Sequence, residues 1–297
     1  MNCIGKYIVL KSENDIKHKE VPMLHTTIEL KPDYSKAGIS HSESVAKLVT
    51  YIIDTPDMIA VKKRPMVLIC PGGGYGHLSP REAEPIALRM NSHGYNACVL
   101  YYSLVPDQYP CQLIEAAMAV DCIKKHAEEW HVMLDKLCIC GFSAGAHVAG
   151  SLGTMWKDEV ITKVLGGNSE DYKPSSMLLC YPVITAGEYA HRGSFDNLVG
   201  GDESLYDTVS LEKRVNADTI PTFIWHTFED GAVPVENSLL MAAALRKYRI
   251  PCELHIFQKG SHGLALATRE TACESLKEIE PECACWPELF ATWFNQN

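Results

Sequence analysis

The sequence lacks any apolar segment of the roughly 18 to 20 residues that a membrane-spanning helix needs. Its first 19 residues contain no apolar core of the secretory type, so a cytoplasmic location and no membrane partner are expected. Positive charge is also scarce, because 27 Lys and Arg stand against 37 Asp and Glu, for a formal net charge of −10. This sign disfavours nucleic acid as a partner, since nucleic-acid binding depends on neutralising phosphates.

No internal repeat, low-complexity tract or long polar linker interrupts the 297 residues, so a single domain over 1–297 is expected. Twelve cysteines are present, mostly inside apolar runs, where they are expected to behave as small buried hydrophobes. Cys273, Cys283 and Cys285 lack the paired spacing and the His partners of a zinc module. No metal or other cofactor is therefore predicted. A homodimer is compatible with the sequence.

From Pro65 onward, short continuous apolar runs alternate with helical patterns, which is typical of a parallel sheet covered by helices on both faces. The predicted strands are 66–70, 97–101, 137–140, 177–181, 222–226 and 252–257, and the predicted helices are 81–93, 112–130, 144–155, 235–249 and 282–294. Alternating stretches at 23–30 and 46–53 predict an antiparallel N-terminal edge. The pattern thus favours a doubly wound α/β fold with about eight strands and its ligand site at the carboxyl ends of the strands.

The sharpest motif is Gly-Phe-Ser-Ala-Gly at 141–145, placed between a predicted strand and a predicted helix. An abrupt strand-to-helix turn forces Ser143 into a strained conformation and exposes it at the helix N-terminus, and the flanking glycines avoid steric clash. The helix dipole and its free amides there favour negative charge on a substrate oxygen. The alternative is a glycine-rich turn with an incidental serine, which the strand before and the helix after disfavour.

A nucleophilic serine needs a base, and four histidines lie beyond the predicted helix 144–155 that Ser143 opens. His226 and His255 lie inside predicted strands, whereas His262 lies in a glycine-containing loop directly after the last predicted strand. Asp230 follows the preceding strand and is predicted to orient His262 and to stabilise its imidazolium form. Glu229, the neighbouring carboxylate, is the alternative acid.

Three consecutive glycines follow the first strand of the parallel set, within Cys-Pro-Gly-Gly-Gly-Tyr-Gly at 70–76. Their backbone can approach a ligand closely, so the amides of Gly73 and Gly74, together with that of Ala144, are predicted to form an oxyanion hole. A phosphate-binding loop is disfavoured because neither of its glycine spacings is present. A plain turn is the remaining alternative.

In these motifs the chain resembles the α/β-hydrolase serine esterases, specifically a bacterial esterase/lipase-like group related to acetylxylan and other carbohydrate esterases. The resemblance covers roughly residues 40–295 and is carried by 71–75, 79–85, 94–96, 102–104, 141–147, 181–183, 230–236 and 261–263. One departure is Pro71, where many relatives in the wider lipase group carry His. The resemblance implies an α/β-hydrolase fold and hydrolysis of a short-chain ester, such as an acetyl group on a sugar or oligosaccharide.

The substrate side is less sharply defined by the sequence. Tyr75, Tyr102 and Tyr181 lie near strand ends and are predicted to contact substrate, because aromatic faces suit sugar rings and aromatic acyl groups. A glycine-containing stretch within 184–215 is long enough for a small cap that sets specificity. The alternatives are an amide or peptide hydrolase, a feruloyl-type esterase and a non-catalytic binding protein on the same fold.

Overall fold

The computed structural model describes residues 23–56 and 58–296, so the expectation about the first 19 residues lies outside the described part. Within these described residues, eight strands form one sheet in the order β1-β2-β4-β3-β5-β6-β7-β8. They are β1 (Thr27–Leu30), β2 (Ala46–Tyr51), β3 (Arg64–Cys70), β4 (Asn96–Tyr101), β5 (Val132–Phe142), β6 (Ser176–Cys180), β7 (Thr222–Thr227) and β8 (Cys252–Phe257). β2 runs antiparallel to both β1 and β4, and all other neighbours are parallel. The predicted fold with its antiparallel edge is confirmed.

Helices lie on both faces of this sheet. They are α1 (Glu84–Ser92), α2 (Cys111–Lys125), α3 (Ala144–Met155), α4 (Glu159–Leu165), α5 (Arg192–Val199), α6 (Tyr206–Val209), α7 (Leu211–Arg214), α8 (Glu236–Tyr248) and α9 (Trp286–Gln296). Three of them depart from the predicted bounds. Pro80–Glu82 forms a 3₁₀ turn before α1, α2 ends at Lys125, and a second 3₁₀ turn at Cys283–Cys285 precedes α9.

The early end of α2 has a steric and topological cause. β5 already begins at Val132, five residues before its predicted start, so the chain must reverse direction soon after α2. His131 accomplishes this with a positive φ of 53°, and the ring of Trp130 stacks on His126 at 4.5 Å. The extra residues of β5 are partly exposed, which is why no apolar run marks them in the sequence.

In the described part of the chain, two large hydrophobic clusters, one on each face of the sheet, form most of the core, and a small third cluster lies around Tyr34. Successive residues of β3 point to opposite faces, so that Met66 and Leu68 join one cluster and Val67 and Ile69 join the other. The helices α2, α3 and α8 cover the first face, and α1 and α9 cover the second. In the described residues, no helix is long and apolar enough to cross a membrane.

The topology brings the predicted functional residues to one edge. β3, β5, β7 and β8 are parallel, so the loops that follow them emerge at the same side of the sheet. These loops carry the glycines after Cys70, Ser143, Asp230 and His262, respectively. This is the edge at which open α/β sheets bind their ligands.

Candidate active site

Ser143 occupies a strained turn between β5 and α3, with φ 52° and ψ −118°. The glycines on either side permit this turn by close packing of bare backbone. A Cβ atom on Gly145 would lie 2.1 Å from the carbonyl oxygen of Cys70, and one on Gly141 would lie 2.1 Å from the carbonyl oxygen of Gly145. The amide of Ser143 donates to the carbonyl oxygen of Cys180 at 3.0 Å, which anchors the turn to β6. The local geometry is the one that the motif predicts.

The structure brings Ser143, His262 and Asp230 into one hydrogen-bonded chain. Ser143 Oγ lies 2.7 Å from His262 Nε2, and His262 Nδ1 lies 2.6 Å from Asp230 Oδ2. Because an ionised carboxylate can only accept, Nδ1 carries the proton and Nε2 is free to accept the serine hydrogen. Glu229, the alternative acid, is exposed to solvent. This arrangement fits a serine nucleophile with a histidine base.

Asp230 is held in a ring of hydrogen-bond donors. Its Oδ1 atom accepts the amides of Ala232 and Val233, both at 2.9 Å, and its Oδ2 atom accepts from His262 and from His226 Nε2 at 3.2 Å. Burial by itself would raise the pKa of this carboxyl. The hydrogen bonds from the two histidines and from the Val233 amide outweigh burial and hold the pKa of Asp230 well below its usual range. Asp230 is therefore ionised at neutral pH.

The glycine loop after β3 is fixed by its carbonyl groups. The carbonyl oxygen of Gly72 accepts the amide of Ser79 at 2.9 Å, and that of Gly73 accepts the amides of Gly76 and His77 at 3.1 and 3.2 Å. In a trans peptide the next amide points away from the carbonyl, so the N–H groups of Gly73 and Gly74 are directed opposite to these bonds.

The φ of 130° at Gly73 is accessible to glycine alone, and the φ of 63° at Gly74 lies in the left-handed region that favours glycine. Across the described residues, the amides of Gly73, Gly74 and Ala144 form no hydrogen bond within the protein. Ala144 is the first residue of α3, so its amide is one of the free donors at a helix N-terminus. All three groups predicted for the oxyanion hole are thus unpaired donors.

The three predicted substrate tyrosines lie behind the site instead of facing it. Tyr75 and Tyr181 are 1% exposed and Tyr102 is 2% exposed, which leaves almost no surface for substrate. Each hydroxyl has a protein partner: Tyr102 donates to the carbonyl oxygen of Pro71 at 2.6 Å, and Tyr181 donates to Glu82 at 2.7 Å. This placement corrects the expectation of direct substrate contact, since a tyrosine near a strand end can turn inward as readily as outward.

Tyr75 reaches His147, a residue of α3 that sequence reasoning did not single out. Their hydroxyl and Nδ1 atoms lie 2.7 Å apart, and His147 Nε2 lies 2.7 Å from the carbonyl oxygen of Val209. Burial lowers the pKa of His147 to about 4, so the ring is neutral. Since Nε2–H donates to a carbonyl, Nδ1 accepts the Tyr75 hydroxyl hydrogen. This relay of two hydrogen bonds, from Tyr75 to His147 and from His147 to Val209, connects the glycine loop to α6.

The segment 184–215 contains α5, α6 and α7, and α5 packs against the glycine loop. Asn197 Nδ2 donates to the carbonyl oxygen of Gly74 at 2.8 Å. His191 precedes α5 and its Nδ1 atom lies 2.8 Å from Ser194 Oγ. Burial and then the charge on His262 lower the pKa of His191, which places this ring within electrostatic range of the triad.

The sheet, the serine turn and the unpaired amides together define an α/β-hydrolase esterase related to carbohydrate esterases. The model of the BD-FAE family matches residues 53–245, more than half of the chain, and the chain belongs to that family.

Named relatives agree with this class. The chain is 40% identical over 220 residues to endo-1,4-beta-xylanase B of Butyrivibrio fibrisolvens, covering 70% of this chain and 34% of the relative. It is 27% identical over 231 residues to the acetylxylan esterase of Xylanibacter ruminicola, covering 75% and 44%, respectively. The chain therefore spans less than half the length of these curated relatives.

A solved structure matches over nearly the whole chain. The crystal structure of an acetyl ester-xyloside bifunctional hydrolase from Caldicellulosiruptor lactoaceticus superimposes with a TM-score of 0.79 at 34% identity. The match covers 93% of this chain and 98% of that chain.

Proposed function

We propose that this chain is a serine carboxylesterase that removes short acyl groups, acetyl above all, from a sugar or oligosaccharide. The observation that carries the proposal is the chain of hydrogen bonds from Ser143 through His262 to Asp230, at 2.7 and 2.6 Å, beside three unpaired amides. This order of hydrogen bonds beside unpaired donors supports acyl transfer through a serine nucleophile.

The mechanism has two steps. Ser143 Oγ attacks the ester carbonyl carbon while His262 Nε2 takes its proton, and the amides of Gly73, Gly74 and Ala144 bind the resulting oxyanion. His262 then protonates the leaving alcohol, and an acyl-enzyme on Ser143 remains. In the second step His262 deprotonates a water molecule, which attacks the acyl-enzyme. The bond to Ser143 Oγ then breaks, His262 returns the proton to this oxygen, and the acid is released. Asp230 stays ionised throughout and stabilises the imidazolium form of His262.

Two observations support a small acyl group on a carbohydrate. The contact of Asn197 with Gly74 brings α5 close to the glycine loop. This proximity favours a compact acyl group over a long acyl chain. The relatives named for acetylxylan and for acetyl ester-xyloside hydrolysis support the sugar part. The segment 184–215 is proposed to act as the cap that contacts the alcohol, with His191 at its inner edge. A cytoplasmic location and a homodimer stay predictions.

The test compares initial rates of hydrolysis of p-nitrophenyl acetate, butyrate and octanoate by the wild type and Ser143→Ala. The proposal requires rapid acetate turnover that declines with chain length and disappears in the variant. Acetylated xylo-oligosaccharide, methyl ferulate and p-nitroacetanilide are then compared with the acetate ester. Preference for ferulate or for the anilide would replace the acetyl-sugar proposal by a feruloyl esterase or an amidase. Equal rates for both proteins on every substrate would refute the catalytic assignment.

A further inference from the structure

Glu82 is a buried carboxylate that the mechanism above does not use. It is 3% exposed and lies at the end of the 3₁₀ turn Pro80–Glu82, just before α1. Its two oxygen atoms have different partners: Oε2 accepts the amide of Gly72 at 2.9 Å, and Oε1 accepts the hydroxyl of Tyr181 at 2.7 Å. Burying a carboxylate is costly unless strong donors hold it, so its position between these two donors requires an explanation.

On one side, Glu82 contacts the start of the glycine loop. A Cβ atom on Gly72 would lie 2.7 Å from Glu82 Oε2 and 3.0 Å from Ser143 Cβ, so the carboxylate and the nucleophile flank the same glycine. The carbonyl oxygen of Gly72 is held by Ser79 at 2.9 Å. With both its N–H and its C=O engaged, Gly72 fixes the orientation of the next amide, that of Gly73.

On the other side, Glu82 reaches the loop that carries the histidine. The oxygen atom of Tyr181 accepts the amide of Ala265 at 3.0 Å while its hydrogen goes to Glu82. The ring of Tyr181 also packs edge-on against the imidazole of His262, with centroids 5.1 Å apart at 73°. A positive φ of 36° at Tyr181 shows that the backbone adopts a strained conformation to place this ring.

We propose that Glu82 is a positioning residue of this esterase. Its carboxylate connects the glycine loop after β3 to the loop that carries His262, and it supplies a buried negative charge behind the imidazolium form of His262. The proposal rests on the proposed function, since it assigns Glu82 a role in the same acyl transfer. Glu82 lies within 79–85, one of the stretches that carry the resemblance to esterases, and this role gives the stretch a physical function.

The charges around Glu82 favour such an effect. Its titratable neighbours are Tyr181, Tyr102, Cys140 and Cys180, and burial raises the pKa of each, so all are neutral at neutral pH. In the described part of the chain, Glu82 forms no ion pair that would cancel its charge.

His262 has further titratable neighbours. It faces Asp230, which is ionised, and lies within electrostatic range of His191. Substitution of Glu82 leaves Asp230 and His191 in place. A change in the pH profile of kcat/KM therefore reports the loss of the Glu82 carboxylate.

The test uses Glu82→Gln, with Glu84→Gln as the matched control. Glu84 is exposed, lies two residues further along and also accepts a tyrosine hydroxyl, that of Tyr51 at 3.1 Å. Glu82→Gln is expected to lower kcat for p-nitrophenyl acetate by roughly 10- to 100-fold with KM within about twofold, because the reacting groups are misaligned while binding is kept. Glu84→Gln is expected to match the wild type.

The pH profile separates positioning from a merely structural role. Removing the negative charge makes the imidazolium less stable, so the acid limb of the kcat/KM profile of Glu82→Gln is expected to move to lower pH by roughly half a unit to one unit. Tyr181→Phe, which removes only the hydroxyl, is expected to lower kcat as well. The double variant is expected to lose much less than the product of the two single losses, because both act through one connection.

The outcomes are distinguishable. A wild type that hydrolyses no ester refutes the proposed function and this inference together. An active wild type with unchanged kcat and pH profile in Glu82→Gln refutes the inference alone, as does an equal loss in Glu84→Gln. If thermal unfolding shows that Glu82→Gln does not fold, Tyr181→Phe decides: full kcat in that variant overturns the proposal, and reduced kcat in a folded protein supports it.

Discussion

His226 Nε2 lies 3.2 Å from Asp230 Oδ2, the same oxygen atom that His262 Nδ1 approaches at 2.6 Å. The carboxylate therefore serves two histidines, of which one faces Ser143 and the other is completely buried. His226 is fixed from its other side by Ser238 Oγ, 2.8 Å from Nδ1. The buried histidine thus anchors the acid, and the acid in turn orients the base.

Substitution of the acid by its amide tests this orientation. Asp230→Asn is expected to lower kcat by about 10³- to 10⁴-fold, because the amide cannot hold His262 in the tautomer that accepts the serine proton. Initial rates with p-nitrophenyl acetate measure the effect. Glu229→Gln is the matched control and should retain wild-type kcat, since Glu229 is exposed. A larger loss in Glu229→Gln than in Asp230→Asn would reassign the acid.

Asp230 should also make stability depend on pH. Its pKa is depressed in the folded protein, so its ionised form contributes stability above the unfolded value of about 4. That contribution is lost as pH falls from this value toward the folded one. Urea unfolding at pH 7 and pH 3 should therefore give a difference in unfolding free energy between wild type and Asp230→Asn that shrinks at pH 3. A constant difference would contradict the depressed pKa.

The glycine loop should not tolerate a side chain at Gly73. A Cβ atom there would lie 2.1 Å from the carbonyl oxygen of His77, and φ is 130°. Gly73→Ala is expected to lower kcat by at least about 100-fold, since moving one oxyanion donor costs that much. Gly76→Ala, whose Cβ atom would lie 3.4 Å from Asn197 Nδ2, serves as the control and should lose far less. Equal losses would show that the loop does not bind the oxyanion through Gly73.

The relay behind the glycine loop gives a milder prediction. Tyr75→Phe removes the hydroxyl that donates to His147 and leaves a buried nitrogen without a partner, at an expected cost of about 1 to 3 kcal/mol in unfolding free energy. kcat should fall by about tenfold through displacement of the loop. Tyr101→Phe, at the end of β4, is the control and should change neither quantity. Full stability and activity in Tyr75→Phe would show that the relay is dispensable.

The cap assignment predicts an effect that depends on the substrate. His191→Ala should raise KM for acetylated xylo-oligosaccharide by several-fold and leave p-nitrophenyl acetate within about twofold, because the larger alcohol alone extends to the cap. Kinetics with both substrates on one preparation provide the comparison. A parallel change for both substrates would place His191 in the catalytic step instead of in alcohol recognition.

The central parallel strands β3, β4, β6 and β7 were predictable from the sequence because each is largely buried on both faces and reads as one apolar run. The short helices α4 to α7 were not, since they have four to eight residues, too few for a helical period to be recognised. Ser143 stands out because its turn demands glycines at fixed positions. The inward direction of Tyr75 and the choice of Asp230 over Glu229 depend on tertiary contacts, which the local sequence pattern does not indicate.

Glu82 is a residue whose burial and contacts the local sequence does not indicate. A glutamate at the start of a helix is typical of an exposed residue that complements the helix dipole, and nothing local distinguishes it from Glu84. Only the folded structure places its carboxylate between Gly72 and Tyr181, which lie far apart along the chain.

The most direct test of the central claim is detection of the acyl-enzyme. Wild-type protein is mixed with p-nitrophenyl acetate, quenched in acid within the first turnovers, digested and analysed by mass spectrometry. A single acetyl group on the peptide that contains Ser143, absent from Ser143→Ala, is the predicted result. Rapid ester turnover with no acetyl group on Ser143, or with the acetyl group on another residue, would contradict the mechanism.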